Sequence, residues 1–352
     1  MTPLGDLLAA RISAMGPISL ADYMGECLLH PDHGYYATRD PFGAAGDFIT
    51  APEISQMFGE LIGLCLAQAW LDQGAPAAFT LAEIGPGRGT LMADILRATR
   101  AVPGFHDAAQ VRLIEASAAL RQVPAQTVPQ AQHIDTLSDL PDQPLFLVAN
   151  EFFDALPIRQ FQRDENGWRE IMVAFDGTAL VPGLSDPAPI SALEHRLGDT
   201  DPGQIVEFCP ALPSLVAQIA DRIAAHGGAA LVIDYGDWRS RGDTFQALAG
   251  HEPVSPFAAP GEADLTAHVD FEAVAQAASP ARATAMTPQG IFLERLGITD
   301  RARVLAQSLS GEARDTHVAA HRRLTHPAEM GHLFTVMGLY PNDAPPPPGL
   351  AP

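Results

Sequence analysis

The sequence contains no lysine, so each of its 21 basic side chains is an arginine. That absence removes Schiff-base chemistry and the phosphate-holding lysine of a P-loop. Cysteine is scarce too: Cys27, Cys65 and Cys209 are scattered and never paired at the spacing of a zinc site, which argues against a disulfide framework or a structural metal. No apolar run approaches the roughly 20 residues that span a bilayer. Asp6 stands where a signal peptide would be basic. A cytoplasmic bacterial protein without membrane insertion is the expectation. Against the 21 bases stand 42 acids, a formal net charge of -21, which speaks against non-specific affinity for nucleic acid phosphates. An acidic body suits a cationic partner, although a GC-rich genome and the demands of solubility would produce the same balance.

What is present is the composition of a globular protein, 47% hydrophobic and 18% charged. Residues 1–75 read as mostly helical, with Leu7, Leu8, Ile12 and Met15, then Met57, Leu61, Ile62 and Leu64 at helical spacing. Between them runs a glycine-rich connection, 32–55, ending in Thr50 and Glu53 with Pro52 between, a capping-box pattern that predicts a helix from about Ala51. From 76 to 340 short apolar runs alternate with helical stretches, the pattern of a mostly parallel sheet with helices on both faces. Strands are expected at Thr80–Ile84, Gln110–Ile114, Leu145–Ala149 and Ala229–Ile233. Insertions are expected at about 157–205, opening with a hairpin turned at Asn166-Gly167, and at 237–270. The proline-rich tail 341–352 reads as flexible.

The first strand runs into Glu83-Ile84-Gly85-Pro86-Gly87-Arg88-Gly89-Thr90. A strand, a glycine turn and a helix form a cofactor cradle in which the missing side chains let the backbone approach a ligand. The nicotinamide fingerprint wants glycine or alanine where Thr90 stands, whereas acid-x-Gly-x-Gly-x-Gly fits at every position. Glu83 beside the glycines favours a ligand bearing an ammonium and a sulfonium over a pyrophosphate. Glu115, closing the second strand, is placed to accept hydrogen bonds from ribose hydroxyls. Both features point to S-adenosyl-L-methionine.

The third strand runs into Asn150-Glu151-Phe152-Phe153-Asp154, and ligand chemistry in such sheets gathers beyond the carboxyl ends of the strands. Glu151 and Asp154 are the catalytic candidates. Two carboxylates can grip a guanidinium and aim one nitrogen at a methyl group, or they can satisfy backbone amides. Asp234 and Tyr235, closing the fourth strand, face the same crevice as candidate substrate-binding residues or as a structural turn.

The stretches HPDHGYY, GDFITAPEISQMFGELIG, EIGPGRGTL, NEFFDALPIRQF, VIDYG, GDTFQALAGH, PGEADLTAHVDF, TPQGIFLERLGI and MGHLFTVMGL together resemble the MidA-like methyltransferases over residues 17–339. The resemblance implies a Rossmann-like class I methyltransferase core of seven strands. It further implies dimethylation of an arginine on a core subunit of NADH:ubiquinone oxidoreductase, respiratory complex I. By the same resemblance Gly46, Asp47, Phe48, Thr50 and Pro52 join Glu83, Gly85, Pro86, Gly87, Gly89, Thr90, Glu115 and Asn150 in binding the cofactor. Tyr35 and His268 are then candidates for the substrate side, Tyr35 alternatively packing the helical segment. Glu151 resembles the first acid of the two-glutamate loop of general arginine methyltransferases. Nine residues on, where some of these place the second, this chain has Gln160. Two other activities stay open: a complex I assembly chaperone without catalysis, and a methyltransferase for a small molecule or another side chain. Oligomeric state is not legible.

Overall fold

A computed structural model describes residues 1–38, 50–115, 117, 121, 124–165 and 167–352. The described chain divides into two compact units, one drawn from Ile49–Phe153, Pro213–Trp238 and Phe271–Pro352, the other from Met1–Phe48, Asp154–Leu212 and Arg239–Asp270.

The first unit is built on helices α1 (Ala51–Ile54), α2 (Gln56–Asp72), α3 (Thr90–Thr99) and α4 (Leu212–His226), on the short strand Thr287–Pro288 and on a sheet path of seven strands. These are β1 (Phe79–Ile84), β2 (Ala109–Ile114), β3 (Gln132–Ile134), β4 (Leu145–Asn150), β5 (Gly228–Asp237), β6 (Arg282–Ala283) and β7 (Phe334–Tyr340). Across the sheet they run β6-β7-β5-β4-β1-β2-β3. The five strands from β5 to β3 are parallel, and β7 is antiparallel to β5. This is the expected α/β architecture. All six residues of β1 and all six of β4 are buried, because helices cover both faces of a parallel sheet and no strand face meets water. The sequence therefore shows these strands as continuous apolar runs, which made them legible.

Phe58, Ile62 and Leu66 of α2 and Met92 and Ile95 of α3 pack on Leu81, Leu113, Phe146 and Val148. Each side chain so buried contributes about 1.5–3 kcal/mol. At the lower end Phe79 meets Phe105 and Phe146 at ring distances of 4.9 and 5.2 Å. The tail, expected to be flexible, is docked: Leu350 joins this core, and the Cys65 thiol and Arg295 guanidinium donate to the Pro348 and Gly349 carbonyls. Leu350 with the buried Pro341 and Pro347 supplies apolar surface to hold a segment whose proline content already limits its unfolded freedom.

The second unit contains a five-stranded antiparallel sheet, ordered Ile18–Ser19, Gly167–Phe175, Arg159–Asp164, Ile205–Phe208, with Leu180–Leu184 beside Gly167–Phe175. A three-stranded sheet orders Glu252–Val254, Gln246–Ala249 and Asp264–Thr266. The amino-terminal helices, expected to form a region of their own with residues up to 75, fall in this unit. Leu8, Ile12, Tyr23 and Met24 bury their apolar face in one cluster with Ile158, Val173 and Leu265 from both inserted stretches. Neither a short helical pair nor a half-apolar insertion has a core alone, and together they make one. The hairpin forms one position earlier than read: Gly167 pairs with Asp164 and belongs to the strand, and Asn166 lies outside the described residues. No helix among the described residues is long and apolar enough to cross a membrane.

Candidate active site

The strand order turns back between β1 and β4, since the chain leaves β1 toward β2 and β3 and returns on the other side. At such a switch point the connections after the two strands diverge and leave a crevice at their carboxyl ends. The glycine turn follows β1 and the Asn150–Phe153 loop follows β4, so both motifs read from the sequence meet there.

Gly85, Gly87 and Gly89 have φ of 66, 50 and 77°, backbone that only glycine adopts without strain. A Cβ on Gly85 would stand 3.1 Å from the Phe152 ring, and one on Gly89 would stand 2.9 Å from Pro124 Cβ. Pro86 is buried between them. Gly89 caps α3 in the left-handed conformation. The Thr90 hydroxyl, expected to face the cofactor, donates to Glu53 Oε1 at 2.5 Å. Glu53 therefore does not complete a capping box at Thr50, which makes no side-chain cap bond. The helix still starts at Ala51 with Pro52 in its first turn, breaks at Ser55 and restarts with the Ser55 hydroxyl accepting from the Met57 amide.

Glu83 is 3% exposed, and its Oε2 has no hydrogen-bond partner among the described residues. Burial pushes its carboxyl well above the ordinary carboxylate range, and the Met92 amide offsets part of that. Asn150, also buried, leaves Oδ1 without a partner while Nδ2 donates to Glu151 Oε1 at 3.0 Å. Two orphaned acceptors at the carboxyl ends of neighbouring strands suit a cationic donor such as an ammonium, because leaving them unpaired costs about 1–3 kcal/mol each. Glu115 follows β2, where its Oε1 accepts from the Ser117 amide at 2.7 Å.

Glu151 has φ of 51°, rare for a residue with a side chain. Its Oε1 also accepts from the Ala51 amide at 3.1 Å, and its own amide donates to the Ile233 carbonyl at 2.9 Å. Asp234, a substrate-binding candidate from the sequence, is wholly buried, and its carboxylate accepts from the amides of Phe152, Phe153 and Tyr235. The Tyr235 ring meets Phe334 edge-on at 5.4 Å.

The remaining candidates belong to the second unit. Asp154 is 6% exposed, and its carbonyl accepts from the Ala267 amide. Tyr35 lines no entrance in this unit, being fully buried in its core. The Tyr36 hydroxyl donates to Asp264 at 2.8 Å. His268 donates its amide to Thr244. Gln160, where a second glutamate was sought, donates to Glu207 and Asp243 at 2.8 and 2.6 Å, so in this chain the position serves a buried structural network. Gly46, Asp47 and Phe48 lie outside the described residues. Sequence reading missed Glu53 and Phe152. The local signal at Glu53 pointed to a cap at Thr50, and Phe152 left none, since one reaches α3 and the other the glycine turn across the fold.

Over residues 61–289 the sequence matches the family described as "Putative S-adenosyl-L-methionine-dependent methyltransferase". The chain belongs to this family. It is 38% identical over 358 residues to "Protein arginine methyltransferase NDUFAF7, mitochondrial" of Danio rerio, covering 93% of this chain and 84% of that protein. With the Homo sapiens protein of that name identity is 36%, over 97% and 84%. A Burkholderia thailandensis superfamily protein crystallised bound to S-adenosyl-homocysteine is 30% identical, with a TM-score of 0.83 over 96% of this chain and 91% of that one. This chain is thus an S-adenosylmethionine-dependent methyltransferase. The chemistry of its cradle fits that cofactor: three glycines that approach closely, and buried acceptors for an ammonium. The cytoplasmic expectation is overturned by these relatives, which are named as mitochondrial proteins. A missing membrane-spanning run and an early acid bear on insertion and export, not on compartment.

Proposed function

We propose that the chain methylates an arginine of a protein, and that this protein is a core subunit of NADH:ubiquinone oxidoreductase. The reading is carried by likeness along nearly the whole chain to relatives named protein arginine methyltransferase. The complex I subunit follows from the MidA-like resemblance of the motifs. When bound, S-adenosylmethionine supplies an electrophilic methyl group on its sulfonium. Glu83 and Asn150 would hold the amino acid end, Glu115 the ribose, and Gly85, Gly87 and Gly89 would admit it to the backbone. Glu151 would accept N–H groups of the substrate guanidinium. Two donors on Oε1, the Ala51 amide and Asn150 Nδ2, keep its carboxylate in one orientation. A guanidinium holds its proton to a pKa above about 12, so a fixed carboxylate serves by aiming one nitrogen and stabilising charge rather than by prior deprotonation.

The test uses purified complex I from a strain lacking the gene, incubated with the enzyme and S-adenosylmethionine and analysed by mass spectrometry. Wild type adds a dimethyl mass to one arginine. Glu151→Gln binds S-adenosylhomocysteine normally in calorimetric titration and adds none. Methylation of another residue type by the wild type overturns the arginine assignment, and full activity of Glu151→Gln removes Glu151 from the mechanism.

A further inference from the structure

Three consecutive amides of the loop after β4 are gripped by two consecutive residues of β5. The Glu151 amide donates to the Ile233 carbonyl at 2.9 Å. Those of Phe152 and Phe153 converge on one oxygen, Asp234 Oδ2, at 3.2 and 2.9 Å. Asp234 has no exposed surface, so no water competes for these bonds. Charge-assisted hydrogen bonds of this kind are roughly twice as strong as neutral ones.

The grip has a consequence for both sides of the crevice. Glu151 sits at φ 51°, a conformation that persists only where the surroundings enforce it; Ile233 holds its own amide and Asp234 holds the next two. The next residue, Phe152, is thereby set against Gly85, where a Cβ would already stand 3.1 Å from its ring. The Glu151 carboxylate meets Ala51 and Asn150 from the same turn. One buried carboxylate thus registers the candidate catalytic acid and the aromatic wall of the glycine turn together.

We infer that Asp234 is a positioning residue for methyl transfer, holding the Asn150–Phe153 loop in its reactive shape without itself touching substrate. This replaces the substrate-binding role expected from the sequence, and it rests on the methyl-transfer reading above.

The discriminating pair is Asp234→Ala and Asp234→Asn in the full chain. The bonds to Phe152 and Phe153 share one oxygen, so the asparagine carbonyl can take that place, whereas alanine removes the acceptor of both these amides as well as that of the Tyr235 amide. Three readouts are combined: hydrogen exchange of the Phe152 and Phe153 amides, calorimetric titration with S-adenosylhomocysteine, and steady-state methylation of purified complex I from the gene-deleted strain. Asp234→Ala is expected to exchange at least about ten-fold faster at those two amides and to lower kcat about ten- to hundred-fold, with KM for the protein changed less than about three-fold. Asp234→Asn restores slow exchange and most of the lost kcat. The proposal is overturned if Asp234→Asn matches Asp234→Ala in activity with a raised KM, since the charge would then be what the substrate reads. Unchanged exchange and kcat in Asp234→Ala overturn it as well. If Asp234→Ala does not fold, the asparagine variant decides by exchange and kcat. Should wild type fail to bind S-adenosylhomocysteine, the methyltransferase reading falls, while the exchange data still judge the grip.

Discussion

The backbone amide of Ala51, the first residue of α1, donates to Oε1 of Glu151 across 3.1 Å, joining positions 100 apart in the chain. Ala51 is fully buried, so this donor has no water to fall back on. The Glu151 carboxylate therefore supports the start of α1 as well as the proposed chemistry, and the two roles can be separated by substitution.

Glu151→Ala removes the acceptor and leaves the Ala51 amide unpaired, for an expected loss of about 1–3 kcal/mol. Glu151→Gln keeps an oxygen at that place and is expected to lose less than about 1 kcal/mol. Glu151→Gly also lacks the acceptor but relieves the positive φ, recovering about 1 kcal/mol relative to alanine. Urea denaturation should rank the stabilities Gln, Gly, Ala. An alanine variant as stable as glutamine would show that the Ala51 bond contributes nothing.

Burial holds the Glu83 carboxyl above its ordinary range, so the folded protein retains a proton that the unfolded chain releases. Stability from this group is therefore fully present below the ordinary carboxylate pKa and declines as pH rises toward the folded value. Glu83→Gln should raise the Tm of the cofactor-free protein near neutral pH and weaken S-adenosylhomocysteine binding about ten-fold or more, the worth of a charged hydrogen bond. An ammonium beside Glu83 favours its charged form, so binding should release a proton. Calorimetry in buffers of different ionisation enthalpy measures that release, and a proton count of zero contradicts the assigned contact.

At Gly89 the backbone has φ of 77° and a Cβ would meet Pro124 at 2.9 Å. Gly89→Ala is expected to cost about 1–3 kcal/mol from the backbone term and the clash together, and to lower cofactor affinity by shifting the start of α3. Thermal unfolding and the same titration check both, and a wild-type Tm would mean that the turn relaxes freely.

Glu60, 3% exposed on α2, takes the Arg301 guanidinium on both oxygens at 2.7 and 2.9 Å and Arg97 at 2.6 Å. Burial alone would raise its carboxyl, yet the hydrogen bonds from Arg301 and Arg97 outweigh that and hold it below the ordinary value. Its stabilisation is therefore present above the ordinary glutamate pKa and lost as pH falls through the lowered one. Both arginines keep solvent access, so Glu60→Ala should cost only about 1–2 kcal/mol at neutral pH. The difference from wild type should shrink in acid, and a constant difference from pH 7 to pH 3 would contradict the linkage.

Much of the first unit was readable in advance because its strands are buried on both faces. Apolar runs located β1, β4 and β5, and the half-buried stretch Gln110–Ile114 located β2, to within a few residues, and the acid with three glycines placed the cradle. Strand β3 and the two-residue β6 escaped, since an edge strand of three residues carries no period. Glu53 matched a local capping signal and was assigned to it. The fold instead offered the Thr90 hydroxyl, a partner that local spacing cannot reveal.

The sequence by itself determined the order of elements, the positive-φ glycines of the cradle and the presence of carboxylates after β4, because burial pattern and backbone permissiveness are written residue by residue. Only the tertiary structure decided what those carboxylates do. It set Glu151 against Ala51, turned Asp234 of β5 inward onto three amides, and gave Gln160 to Glu207. A buried polar group must find whichever partner the fold brings within hydrogen-bond distance, and that partner is a matter of three-dimensional neighbours, not of sequence spacing.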